Sequence, residues 1–353
     1  MKMTFRWYGE RDPVTLAAIR QIPQMSGIVS AVYSVPAGGV WPEGEIGKVK
    51  AAANAAGLEF EVVESVPVHE SIKLGRSERD VLIENYRENI RRLARVGVKC
   101  ICYNFMPVFD WLRSDLARVL PDGSNALAYD DTAVLSLDPA KTELSLPGWD
   151  ESYSKAELRA LLDEYKAIDE EKLWENFAAF INAIIPVCEE TGVNMAIHPD
   201  DPPWGIFGLP RIITGDQSYA RMKEINPSAR NGITLCLGSL GADPQNDIAA
   251  LAKKYADRIH FVHARNIKIT GERCFEEAPH PTICGSLDMY GILKALHSSG
   301  FDGYIRPDHG RMIWGESGRP GYGLYDRALG AMYLQGLWEG IHNSEGETRN
   351  AEC

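Results

Sequence analysis

Four apolar runs in this 353-residue chain carry, at or near their ends, a residue type that binds divalent metals. They are His198 in VNMAIHPDD (193–201), Cys236 in GITLCLGSL (232–240), His263 in RIHFVHARN (258–266) and Asp308 in GYIRPDHG (303–310). Two imidazoles, a thiol and a carboxylate suit Mn, Fe, Co or Zn. Magnesium prefers an all-oxygen shell. A mixed shell with open positions acts as a Lewis acid toward a chelating substrate. Each residue alone has a plainer reading. A cysteine in a buried strand is ordinarily core, and Cys100 and Cys102 are read that way. A lone strand-end histidine is ordinarily a satisfied hydrogen-bonding residue, and HPDDPP alone is a stiff acidic turn. Four ligand types at equivalent places on four consecutive runs outweigh those readings. The last run continues as YIRPDHGRMIWGE (304–316), crowding Arg306, Asp308 and His309 onto one tip, which no plain turn needs.

The elements that must position these residues alternate strictly. Strands are expected at 3–9, 27–34, 58–65, 99–105, 193–201, 232–240, 258–266 and 303–310. Helices are expected from Asp12, at 44–57, 77–96, 171–190, near 216–225 and 245–256, at 288–299 and at about 323–338. Ser77 and Asp80 resemble a capping box, and Gly97 closes that helix. Eight strand–helix units predict an α/β fold, the closed (β/α)8 TIM barrel. The alternative, an open doubly wound sheet, usually carries a Gly-rich turn after its first strand, and none is seen. One domain is expected over 1–343, with a polar tail at 344–353. A helical and loop insertion of about 106–170, with turn signals PDGSN and LPGWD, leaves strand four and is placed to cap the barrel mouth. In this fold the site lies at the C-terminal strand ends. Adjacent strands are roughly 5 Å apart, so the four ligand types converge if they point inward. Parity allows it: His263 shares a face with Phe261 and Arg265, Cys236 with Thr234, and Asp308 with Arg306. His260 has the opposite parity and is read as structural.

A net charge of −12 argues against nucleic acid as a partner. Seven scattered cysteines argue against a disulfide framework. No apolar run reaches the length of a membrane span, and the first residues lack a signal-peptide core. A cytoplasmic, soluble protein is expected, with no membrane association.

HPDDPP (198–203), GITLCLGSLG (232–241), IHFVHARNI (259–267), IRPDHGRMIWGE (305–316) and RPGYGLYDRALG (319–330) together resemble the mannonate dehydratases, as does the opening MKMTFRWYGERDP. The resemblance covers nearly the whole chain. It implies a xylose-isomerase-like barrel using Mn²⁺ or Fe²⁺. The implied reaction is D-mannonate to 2-keto-3-deoxy-D-gluconate, a hydro-lyase step in hexuronate (glucuronate) catabolism. The implied ligands are His198, Cys236, His263 and Asp308, and the implied proton-transfer residues His309 and Tyr322, with Tyr325 a second candidate. Arg306 and Arg265 are expected to meet substrate oxygens, Arg306 with the alternative of orienting Asp308. The stretch PHPTICGS (279–286) departs from the expected pattern and leaves the role of His280 open. Barrel enzymes of this size often form homodimers, and one is expected here. The rival functions are a metal-dependent sugar isomerase or epimerase on the same fold and a non-catalytic sugar-acid-binding protein.

Overall fold

The apolar runs are rich in β-branched and aromatic residues and become strands buried on both faces, as a parallel barrel requires. The computed structural model describes residues 1–137 and 154–351. In chain order its strands are β1 (Lys2–Arg6), β2 (Gly27–Ser30), β3 (Glu59–Glu64), β4 (Cys100–Tyr103), β5 (Asp115–Val119), β6 (Asn125–Asp130), β7 (Asn194–Ile197), β8 (Asn231–Cys236), β9 (Ile259–His263), β10 (Asn266–Gly271), β11 (Cys274–Ala278) and β12 (Tyr304–Arg306). Eight close a barrel in the order β1-β12-β9-β8-β7-β4-β3-β2. All eight expected strands form, each stopping short of its expected C-terminal end. The run read as 232–240 leaves the ladder at Cys236 and winds into a short helix, Leu237–Gly241. Gly238 in that turn lies against Arg265, whose Cζ would stand 2.5 Å from an added Cβ.

The barrel axis is a packed core. Val29, Val62, Cys100, Cys102, Ala196, Phe261 and Tyr304 form its own cluster. Thr234 Oγ1 crosses it to donate to Cys102 Sγ at 3.2 Å or to Ala196 O at 3.0 Å. Outside, helix Arg79–Arg95 buries Ile83, Tyr86, Ile90 and Leu93, a stripe at helical spacing. Truncating Leu93 there costs on the order of 2–5 kcal/mol. The helix ends at Gly97, whose φ of +91° suits glycine. Its expected capping box is absent: the N-cap is Glu78, without a side-chain cap bond, and Ser77 Oγ donates to Glu78 instead. The last helix runs on from Tyr325 to Ala351, through most of the expected tail.

The insertion departs most from expectation. PDGSN is the turn of a hairpin, β5–β6, which joins β10 and β11 in an antiparallel sheet of order β10-β11-β6-β5. Cys274 to Glu276 pair with Asp130 to Ala128, and Tyr129 stacks on Phe275 at 5.5 Å. One sheet therefore ties the segment after β4 to the segment after β9, both at C-terminal strand ends. LPGWD (146–150) lies outside the described residues.

Candidate active site

Where β3, β4, β7 and β12 end, the chain surrounds a cavity of about 750 Å³. Its wall includes Glu64, Cys102, His198, Arg306, Asp308 and His309. His198, Cys236 and His263 each present a ligand atom, all within 4.8 Å of one another. His198 and His263 ring centroids are 4.9 Å apart. His198 Nδ1 lies 2.6 Å from Pro199 O, which leaves Nε2 for the Cys236 sulfur, with which His198 also hydrogen-bonds. Burial works against charge on His198, yet the neighbouring Cys236 sulfur, Glu64 and Asp308 raise its pKa to about 9. Burial alone would raise the Cys236 thiol, but His198 and Arg265 pull it well below its ordinary value. Both pulls favour the thiolate, the form that ligates metals. A buried set of two imidazoles and a thiolate fits a first-row divalent ion.

Asp308 stands beside this cluster rather than within it. Its Oδ2 is 3.7 Å from Cys236 Sγ, and its Oδ1 is 3.8 Å from His263 Nδ1. Arg306 meets its Oδ1 at 2.7 Å and Arg265 its Oδ2 at 2.8 Å. Burial opposes its ionisation, but Arg306, His309, His263 and Arg265 hold it well below the ordinary carboxylate range. Its φ of +36° is strained for a residue with a Cβ, although Asp tolerates that region better than most. A second trio, Glu64, Cys102 and His263, shares His263. Glu64 is bound by Arg306 at 2.9 Å, and Arg6 donates to its backbone carbonyl, so cations already face this carboxylate.

Next to Asp308, His309 joins two partners. Its Nε2 is 2.9 Å from the Tyr322 hydroxyl and its Nδ1 3.1 Å from Glu277 Oε1. Tyr322 packs edge-on against both His309 and Tyr8, and Trp111 of the insertion lies 5.1 Å from the His309 ring. Burial, with Tyr8 beside it, pushes the Tyr322 hydroxyl well above its ordinary value, so it carries its proton at neutral pH. Burial also penalises Glu277, but Arg265, His309 and Arg113 bring it down to about 2.

The fold thus brings His198, Cys236, His263, Asp308, Arg306, His309 and Tyr322 to one end of the barrel. Tyr325 is exposed, its ring tilted against Trp314 5.6 Å away, off the cavity wall. Arg265 is buried behind the wall, bound to Asp201, Glu277 and Asp308. His280 is buried with Nε2 3.0 Å from Pro307 O, bracing the loop that carries Asp308 and His309. His260 turns outward to Ala229 O at 2.8 Å. Cys102, read as core, does pack the axis but also reaches the cavity floor. Glu64, Arg6, Asp201, Glu277 and Trp111 were not singled out from the sequence. Glu64 had a signal, since it ends the third strand where other strands carry ligand types. Glu277 had none, because it belongs to a hairpin outside the strand–helix alternation.

A protein-family model for D-mannonate dehydratase (UxuA) matches residues 1–348. Mannonate dehydratase of Streptococcus agalactiae serotype III is 59% identical over 343 residues, covering 97% of this chain and 99% of that protein. Mannonate dehydratase of Thermotoga petrophila is 54% identical over 354 aligned residues, covering 97% and 98%. The crystal structure of mannonate dehydratase from Streptococcus suis serotype 2 superposes with a TM-score of 0.92 at 49% identity, covering 98% of this chain and 96% of that one. Family model, relatives and solved structure agree across nearly the whole length, and the chain belongs to the D-mannonate dehydratase family of hydro-lyases.

Proposed function

We propose that this chain removes water from D-mannonate to give 2-keto-3-deoxy-D-gluconate, in the catabolism of hexuronates such as glucuronate. His198, Cys236 and His263, with Asp308 beside them, would hold Mn²⁺ or Fe²⁺. The bound ion supplies Lewis-acid polarisation of the substrate carboxylate and adjacent hydroxyl. The chain's own groups do the rest. The C2 hydrogen must leave as a proton and the C3 hydroxyl must leave as water, which requires one base and one acid. His309 and Tyr322, hydrogen-bonded at 2.9 Å, are that couple. Arg306, on the cavity wall, meets a substrate oxygen. Arg265 is better assigned to bracing Asp308, because three carboxylates already occupy its guanidinium. Trp111, with Met106, Asp110 and Leu116 of the same insertion on the cavity wall, keeps bulk water from the reacting carbons.

One juxtaposition carries this reading. Asp308 and His309 are consecutive residues, one turned to the donor cluster and the other to Tyr322. That juxtaposition supports a proton couple beside a chelating site. A homodimer in the cytoplasm completes the reading, with oligomeric state checked by light scattering. The deciding experiment incubates Mn²⁺-loaded protein with a panel of aldonic acids and assays for 2-keto-3-deoxy products. Water loss from D-mannonate alone is the expected outcome. An isomerised product would favour the epimerase reading, and binding without turnover a sensor. Full activity in rigorously metal-free protein would overturn the site.

A further inference from the structure

We propose that Glu277 is the positioning residue of the proton couple, accepting the Nδ1 hydrogen of His309 and so fixing the ring with Nε2 toward Tyr322. The inference rests on the reading of His309 and Tyr322 given above and goes beyond it. Glu277 lies on β11, in the sheet shared by the insertion and the hairpin after β9, and is buried. Its Oε1 stands 3.1 Å from His309 Nδ1, 3.1 Å from Arg113 and 2.5 Å from Arg265. Between two guanidiniums it is a carboxylate, which only accepts hydrogen bonds. His309 Nδ1 must then carry the hydrogen. The other tautomer would set a nitrogen lone pair against carboxylate lone pairs. In a neutral ring Nε2 is consequently bare, and the Tyr322 hydroxyl, 2.9 Å away, must donate to it. Hydrogen-bond direction therefore runs from Tyr322 through His309 to Glu277. The barrel supplies the reacting pair, and the extra sheet supplies the group that orients it.

The competing explanation is that Glu277 merely neutralises Arg113 and Arg265. Two substitutions separate these roles. Glu277→Gln keeps the reach and an acceptor oxygen but loses the charge. Its amide nitrogen can take the place of Oε2, which has no hydrogen-bond partner. Glu277→Asp keeps the charge for the arginines but withdraws the acceptor by one methylene. Steady-state kinetics on Mn²⁺-loaded enzyme with D-mannonate should rank kcat wild type above Gln above Asp. The Asp variant should lose about 10–100-fold, the usual cost of removing a group that orients a functional histidine. KM and metal content should stay close to wild type in both. Asp at or above Gln, or a rise in KM with kcat unchanged, overturns the positioning role. His309→Asn is the control that distinguishes the two layers. If it turns over near-normally, the proton-couple reading fails and takes this proposal with it. If it is crippled while the Glu277 order is reversed, only the role of Glu277 fails.

Discussion

Tyr322→Phe removes one hydroxyl and nothing else, so its effects on stability and on chemistry can be sized separately. The ring keeps its edge contacts with His309 at 4.9 Å and Tyr8 at 5.0 Å. What is lost is one neutral hydrogen bond, worth about 0.5–1.5 kcal/mol net. At roughly 2–4 °C per kcal/mol for a domain of some 150–250 residues, and less for this longer chain, the melting midpoint should move by a few degrees at most. Turnover should respond far more. An acid or base contributes about 10²–10⁴-fold, or roughly 3–5 kcal/mol of barrier. The assay is kcat for 2-keto-3-deoxy product, with metal content and melting measured on the same sample. Solvent deuterium adds direction. If His309 Nε2 is the acceptor, as proposed above, Tyr322→Phe should still exchange deuterium into C2 of unreacted mannonate, whereas His309→Asn should not. Tyr325→Phe, on an exposed ring, should behave as wild type. Near-normal turnover in Tyr322→Phe with normal metal content would refute the assignment, and the same result in Tyr325→Phe would not rescue it.

Cys236→Ser replaces a thiolate with a neutral hydroxyl and should weaken metal affinity by more than the roughly 10–100-fold lost with an outer partner; chelator competition measures it, and wild-type affinity would count against a ligand role. Trp111→Ala strips the ring that lies 5.1 Å from His309, and should cut kcat/KM by up to about 10²-fold with metal retained, on the scale of a misplaced reacting group; unchanged kinetics would remove the insertion from the site. Glu277 has a folded-state pKa of about 2 against an ordinary 4.5, depressed by Arg265, His309 and Arg113 against the penalty of burial. Its contribution is therefore present above pH 4.5 and is lost as pH falls toward 2. The stability advantage of wild type over Glu277→Gln, on the order of a few kcal/mol at neutral pH, should shrink across that window in urea titrations; a constant gap would contradict the shift.

The barrel was legible because its signal is local. Each strand announces itself within a few residues, and period-two parity then sends His263 and Phe261, or Cys236 and Thr234, to one face. The four ligand types were legible for the same reason, being strand-end features repeated at equivalent positions. What stayed hidden depends on pairing between distant segments. β5 and β6 contain Asp, Arg, Asn and Ala where a confident strand would carry β-branched residues. They are stabilised by β11, whose Cys274 pairs with Asp130, and no local pattern encodes that. Glu277 was invisible because its meaning comes from His309 and two arginines on other segments. Ser77 shows the opposite failure: a good local capping pattern loses to Glu78, whose carboxylate accepts from both Ser77 and Ser71.

These hidden partners form one charge system. Glu64, Arg306, Asp308, Arg265, Asp201 and Arg113 follow one another as ion pairs of 2.7–2.9 Å, with Glu277 bridging Arg265 and Arg113. At the end of the chain Arg6 donates to the backbone carbonyl of Glu64. Four guanidiniums balance four carboxylates, and the His198 imidazole, its pKa raised to about 9, balances the charge toward which it pulls Cys236; a metal ligand must be a neutral imidazole, so a bound dication would displace that proton. Buried net charge is costly. With that proton gone, a divalent cation beside the Cys236 thiolate would leave a single positive charge, and a substrate carboxylate would cancel it. Neutral sugars offer no such compensation. The same electrostatics that make the cluster receptive to a dication make the cation-loaded cavity a site for a sugar acid, and the network of arginines and carboxylates fixes Asp308 and His309 in position before either reactant arrives.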